Sequence, residues 1–206
     1  MSIRNQWAVV IAAVLLLGGA LYAFEWVSSG STSHVAIGAP APAFSATTVD
    51  GARQVRRLAD YRGHVTILNI WATWCEPCKA EMPALEHLYQ ALAPAGLKVA
   101  AVSVDETASD DSVATYARSL GLTFDVLHDT QYTIEQAYQV VGYPSSYLID
   151  RDGRIRAIWL GAKDWTDPGV TALVRQLLGV SAEAAAGNSR EPALPAARAA
   201  TRAAAN

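Results

Sequence analysis

The two cysteines of this chain stand two positions apart, in Trp71-Ala72-Thr73-Trp74-Cys75-Glu76-Pro77-Cys78-Lys79. An apolar, β-branched run at 64–70 leads into that stretch, and a helix-favouring segment starting at Glu76 leads out of it. A strand feeding a helix across Cys-x-x-Cys puts Cys75 at the mouth of the helix. There the unpaired backbone N–H groups and the positive end of the macrodipole favour a thiolate. Cys78 lies about one turn on along the same face, so the two sulfurs can meet in a small ring. Pro77 falls in the first turn, where its missing N–H costs nothing and its fixed φ suits a helix.

Two other uses of such a pair fit less well. A closed zinc site needs four ligands, and the chain has no third cysteine. His34, His64, His87 and His128 are scattered without the spacing of a ligand pair, so no metal is expected. A purely structural bond from i to i+3 closes too short a loop to stabilise much through chain entropy. A reactive dithiol is the reading that remains.

Where the dithiol sits is decided by the N-terminus, since two cysteines do not identify a compartment. Residues 7–24 carry no charge and are long enough to cross a hydrocarbon layer of about 30 Å. Arg4 precedes this run, Glu25 follows it, and the next basic residue is Arg53, an asymmetry that places the N-terminus in the cytoplasm. The reading favoured is a single-pass anchor over 1–27 in the cytoplasmic membrane, with the catalytic domain on the periplasmic side. A cleaved signal peptide is the rival, with a weak small-residue site at 21–23. A net charge of −3 gives no reason to expect nucleic acid as a partner.

Beyond the anchor, a Ser/Gly/Ala-rich stretch over 28–36 reads as a flexible linker. Residues 44–49 and 54–58 flank Asp50-Gly51 as a hairpin. Strands are expected at 64–71, 97–104, 124–127, 147–149 and 155–160, the last two joined through Asp152-Gly153. Helices are expected at 76–93, 112–120, 132–140 and 170–178. The domain spans 37–180, and the Ala/Pro-rich tail at 181–206 has too few large apolar residues to form a core, so disorder is expected there.

Trp74-Cys75-Glu76-Pro77-Cys78 after an Asn-containing strand resembles the thioredoxin superfamily, and within it the membrane-anchored TlpA/ResA-like thiol–disulfide oxidoreductases. Pro83 inside the helix, the stretch 142–150 with Pro144 just before a strand, and the opening at 37–44 match that family as well. The resemblance implies an α/β thioredoxin-like fold, a central mixed sheet flanked by helices, here preceded by one transmembrane helix. It implies protein disulfides as substrates, of the apocytochrome c or copper-site assembly kind. It also implies re-reduction by a membrane thiol carrier of the DsbD/CcdA type, and no cofactor.

Cys75 is expected to be exposed and to act as nucleophile, with Cys78 more buried and resolving the mixed disulfide. Trp74 is the candidate surface contact beside it. Glu76 either raises the thiol pKa of Cys75 by repelling a thiolate, which favours a reductant, or is a favourable charge in a helix first turn. Asn69 stands where ordinary thioredoxins keep a buried aspartate and cannot shuttle a proton. Glu81 matches a family glutamate near the cysteines; it is either a proton acceptor for Cys78 or a solvated carboxylate pairing with a lysine. The resemblance makes the Tyr143–Pro144 bond cis and gives the Tyr143 backbone to substrate binding, although a trans proline in a plain turn also fits the sequence.

Three competing functions stand beside the reductant. One is a disulfide donor of the same fold. A thiol peroxidase would need a P-x-x-x-T-x-x-C pattern that is missing before Cys75. A non-catalytic thiol or copper(I) clamp would lack a third sulfur ligand.

Overall fold

The computed structural model describes residues 3–28, 35–106 and 109–180. Most of the expected linker and the whole expected tail therefore lie outside the described residues.

The core is organised by the strand β3 (Val65–Trp71), whose seven residues are all buried. A run of Val, Ile, Leu and Trp with no exposed face is what a central strand requires. It pairs in parallel with β4 (Leu97–Ser103) on one side and antiparallel with β6 (Ser145–Ile149) on the other. The seven-stranded sheet runs β2-β1-β5-β4-β3-β6-β7. Its remaining strands are β1 (Ser45–Thr48), β2 (Val55–Arg57), β5 (Asp125–His128) and β7 (Ile155–Leu160). The strands β3, β4 and β5 are parallel to one another, and every pairing outside them is antiparallel. This is the mixed α/β sheet of a thioredoxin-like fold.

Register, more than strand order, decides which side chains meet at the end of this sheet. Trp71 lies opposite Ser103, Ser103 opposite His128, and Asn69 opposite Ser146. The C-terminal ends of three parallel strands thus converge next to the turn that leaves β3.

The helix α2 (Glu76–Leu92) leaves that turn and buries Cys78, Glu81, Met82, Leu85, Leu88 and Leu92 at helical spacing. Pro83 lies within it, so the i−4 hydrogen bond is missing at that position. The helix α3 (Asp110–Ser119) is capped by Ser109 and connects β4 to β5. The helix α5 (Pro168–Leu178) closes the domain, capped by Asp167 and ended by Gly179 at φ +72°.

The expected helix over 132–140 is much shorter, α4 (Thr133–Ala137). Tyr132 and Gln139 both have positive φ, which ends helical backbone on either side. Two other elements, α3 and β6, start earlier than the sequence suggested, at Asp110 and at Ser145.

At the N-terminus α1 (Ile3–Ser28) is one helix of 26 residues. Its described side chains, at 6, 7, 11–20, 22 and 23, are all exposed, Trp7, Leu15, Leu16 and Tyr22 among them. Among the described residues, no helix is long and apolar enough to cross a membrane.

Candidate redox site

Cys75 is the N-cap of α2, and its Sγ accepts a hydrogen bond from the Cys78 backbone N–H at 3.3 Å. The two cysteines are joined, with Cα atoms 5.3 Å apart. The sequence places them there: an extended residue at the end of β3, a tight turn closed by Cys75 N–H donating to Ala72 O, then Glu76-Pro77 starting the helix. Sγ therefore faces the free N–H groups of a helix end, where a thiolate is stabilised.

The expected contrast in exposure is smaller than the sequence implied. Cys75 is 5% exposed and Cys78 0%, so both sulfurs are buried in the oxidised state. Trp74 carries the exposure instead, at 61%. Its ring packs in a T-shaped arrangement with Tyr143, with centroids 5.5 Å apart. Tyr143 in turn donates from its hydroxyl to Glu135 Oε2 at 2.5 Å. Burial and that carboxylate push the Tyr143 phenol well above its usual pKa. The Tyr143–Pro144 peptide is cis.

Behind Cys78, on the next turn of α2, Glu81 is 4% exposed. It is therefore not the solvated carboxylate of the alternative reading. Its Oε1 accepts from Asn69 Nδ2 at 2.8 Å, and its Oε2 accepts from the Lys163 backbone N–H at 2.7 Å, not from the lysine side chain. Burial pushes the Glu81 pKa up, against the lowering effect of those two donors and, more weakly, of Trp165. The Trp165 indole N–H misses full hydrogen-bond geometry and is left without a partner. Asn69 also donates to Ser146 Oγ, while its own Oδ1 has no partner.

Glu76 is exposed and accepts from Lys79 Nζ at 2.5 Å. That pair offsets part of the negative charge that the sequence set against a Cys75 thiolate. Lys79 also lies over the Tyr116 ring, 5.8 Å from its centroid.

A second group of residues at the site was missed by the sequence reading. Asp105, for which the sequence suggested no role, is 3% exposed and holds Thr73. His128 bridges Asp110 Oδ1 and the Asp105 carbonyl, at 2.7 Å to each. The register of β3 on β4 is the signal that would have found them. Among the described residues, no cluster of three or more His, Cys, Asp or Glu has the arrangement of a metal site.

The sequence profile of the AhpC/TSA family matches residues 37–158. The thiol–disulfide oxidoreductase ResA of Geobacillus kaustophilus is 36% identical over 160 residues, covering 77% of this chain and 90% of its own length. The thioredoxin-like protein YneN of Bacillus subtilis is 35% identical, covering 76% and 91%. Among solved structures, a thiol:disulfide interchange protein of the DsbE type from Chlorobium tepidum superimposes with a TM-score of 0.60 at 26% identity, covering 74% and 99%.

Proposed function

The chain belongs to the AhpC/TSA family and is a thioredoxin-like thiol–disulfide oxidoreductase; from that premise we propose that it reduces protein disulfides outside the cytoplasm. The observation that carries this reading is the Cys75–Cys78 disulfide at the N-terminus of α2, with the buried Glu81 one turn behind it.

In the reduced protein the Cys75 thiolate attacks one sulfur of a partner disulfide. A mixed disulfide forms, and the partner's other sulfur leaves as a thiolate. Cys78 then gives up its proton and attacks Cys75 Sγ, which releases the partner's second sulfur. The partner gains two electrons and leaves as two thiolates, which are protonated by the proton released from Cys78 and by one from water, and this chain ends with the Cys75–Cys78 bond. Glu81, with its pKa raised by burial, is the group suited to take the Cys78 proton. Glu76 and Pro77 set the helix end, and Trp74 meets the incoming partner beside Cys75. Tyr143 and Pro144 receive an extended substrate segment, a role supported by the Tyr143 backbone, which makes no hydrogen bond among the described residues.

The domain over 37–180 is tethered by 1–27 to the cytoplasmic membrane, with 28–36 as linker and 181–206 as a disordered tail. The uncharged run at 7–24, the position of Arg4 and the exposed apolar side chains of α1 support the tether. Resemblance of the motifs to the TlpA/ResA-like branch supports apocytochrome c or copper-site assembly proteins as substrates, and a DsbD/CcdA-type carrier as electron donor.

The test is trapping. In the full-length protein, Cys78→Ser should accumulate a dithiothreitol-sensitive adduct with a disulfide substrate such as insulin. Cys75→Ser should form none. Adducts through Cys78 in the Cys75→Ser protein would reverse the assignment, and no adduct in either would remove the exchange reading.

A further inference from the structure

We propose that Asp105 is a positioning residue for the nucleophile, acting through Thr73. This inference rests on the exchange reading for its meaning, but its geometry stands independently.

The turn from β3 into α2 is short, and Thr73 lies two residues before Cys75. Asp105 Oδ2 accepts from the Thr73 backbone N–H at 2.9 Å, and Oδ1 accepts from Thr73 Oγ1 at 2.6 Å. Among the described residues, no other side-chain hydrogen bond reaches residues 72–74. The carboxylate is itself fixed. Ser103 Oγ donates to Oδ2 at 2.6 Å, and the Asp105 backbone N–H donates back to Ser103 Oγ at 3.2 Å. His128 Nε2 ties the Asp105 carbonyl to the end of β5 at 2.7 Å. His128 is held from its other side by Asp110, which also pairs with Arg53.

Parallel register produces this contact. Trp71 pairs with Ser103 at the two strand ends, so the segments that leave the strands start side by side, with Thr73 and Asp105 each two residues beyond. The strand ends β4 and β5 therefore hold the turn that presents Cys75. An ionised carboxylate only accepts, and both donors of Thr73 point at it, so the clamp fixes the turn in one arrangement. Sulfur exchange needs that control. The attacking thiolate has to stay at the helix end and line up with the partner's disulfide, and a misplacement of about 1 Å can cost up to about a hundredfold in rate.

The experiment uses the full-length protein reduced with dithiothreitol and compares Thr73→Val, Thr73→Ser and Asp105→Asn with the parent. Thr73→Val keeps the shape and the Asp105 charge but removes the hydroxyl donor. Thr73→Ser restores it. Two rates are read: alkylation of Cys75 by iodoacetamide across pH, and single-turnover reduction of insulin. Alkylation needs no disulfide partner, so it reports positioning even if exchange is absent. Each variant is measured well below its own melting temperature.

Expected is an insulin reduction rate about tenfold lower in Thr73→Val. Its alkylation profile should shift to higher pH, as Cys75 loses its alignment with the helix end, and Thr73→Ser should behave as the parent. Asp105→Asn should also be slow, because its amide group presents a donor to donors. Parent-like rates and pH profiles in Thr73→Val and Asp105→Asn, with only lower melting temperatures, would overturn the proposal. So would equal slowing in Thr73→Ser. A parent protein that alkylates normally but never reduces insulin would instead count against the exchange reading.

Discussion

The dithiol is flanked by two buried carboxylates that are held in different ways. Behind Cys78, Glu81 receives one side-chain donor from Asn69 and one backbone donor from Lys163. In front of Cys75, Asp105 receives the Thr73 N–H, the Thr73 hydroxyl and the Ser103 hydroxyl. Both are almost without solvent, at 4% and 3% exposure. Three donors suit a carboxylate that holds a turn in place. Fewer donors and a raised pKa suit one that takes a proton and gives it back. In the functions proposed for them, the same residue chemistry would serve as a fixed clamp on one flank and as a proton store on the other.

Substitutions should separate the two flanks, and the largest effect is expected at Asn69. Asn69→Asp would set a second carboxylate against Glu81 in a buried site, where both cannot ionise cheaply. Denaturant unfolding at pH 8 should show a loss of about 3–5 kcal/mol, and most of it should return at pH 4. An unchanged stability at pH 8 would mean that the Glu81 pocket is wetter than the structure shows. Asp105→Ala should cost about 3 kcal/mol at both pH values, since it leaves Thr73 and Ser103 donors buried without partners.

The pH response of the parent is the next effect in size. The folded-state pKa of Glu81 lies above its ordinary value of 4.5, so the folded protein binds this proton more tightly than the unfolded chain. That contribution to stability is fully present below the ordinary value and is lost as pH rises through the raised folded-state pKa. Melting temperatures of Glu81→Gln across that window should lack the decline that the parent shows. A parallel decline in both proteins would assign it to another group.

The smallest effect is expected where the site meets its partner. Tyr143→Phe leaves the ring on Trp74 but removes the hydroxyl bond to Glu135, worth about 1 kcal/mol. KM for a protein disulfide should rise about fivefold, while the rate with a small disulfide such as oxidised glutathione should not change. Equal changes with both substrates would place Tyr143 in the chemistry instead of in docking.

Legibility in the sequence followed the same division. The run 65–71, the Cys-x-x-Cys turn and α2 were readable because their signals are local: β-branched residues, an N-cap cysteine and apolar spacing of three and four. Glu81 was readable as a candidate through its place on the helix, but its burial was not, since it depends on Asn69 from β3 and Lys163 from the segment after β7. Asp105 and His128 were missed because nothing near them in sequence marks a site. Their role arises from parallel register, which pairs residues 32 apart and has no local signature. The short α4 escaped for a related reason: its ends are set by positive φ at Tyr132 and Gln139, residues that an apolar periodicity does not flag.

The reduction potential of Cys75/Cys78 in the full-length protein, equilibrated against glutathione and dithiothreitol, bears on the central claim most directly. A potential below about −200 mV is expected of a dithiol that works as a reductant and is kept reduced from the membrane. A value near −120 mV would contradict this and make the protein a disulfide donor.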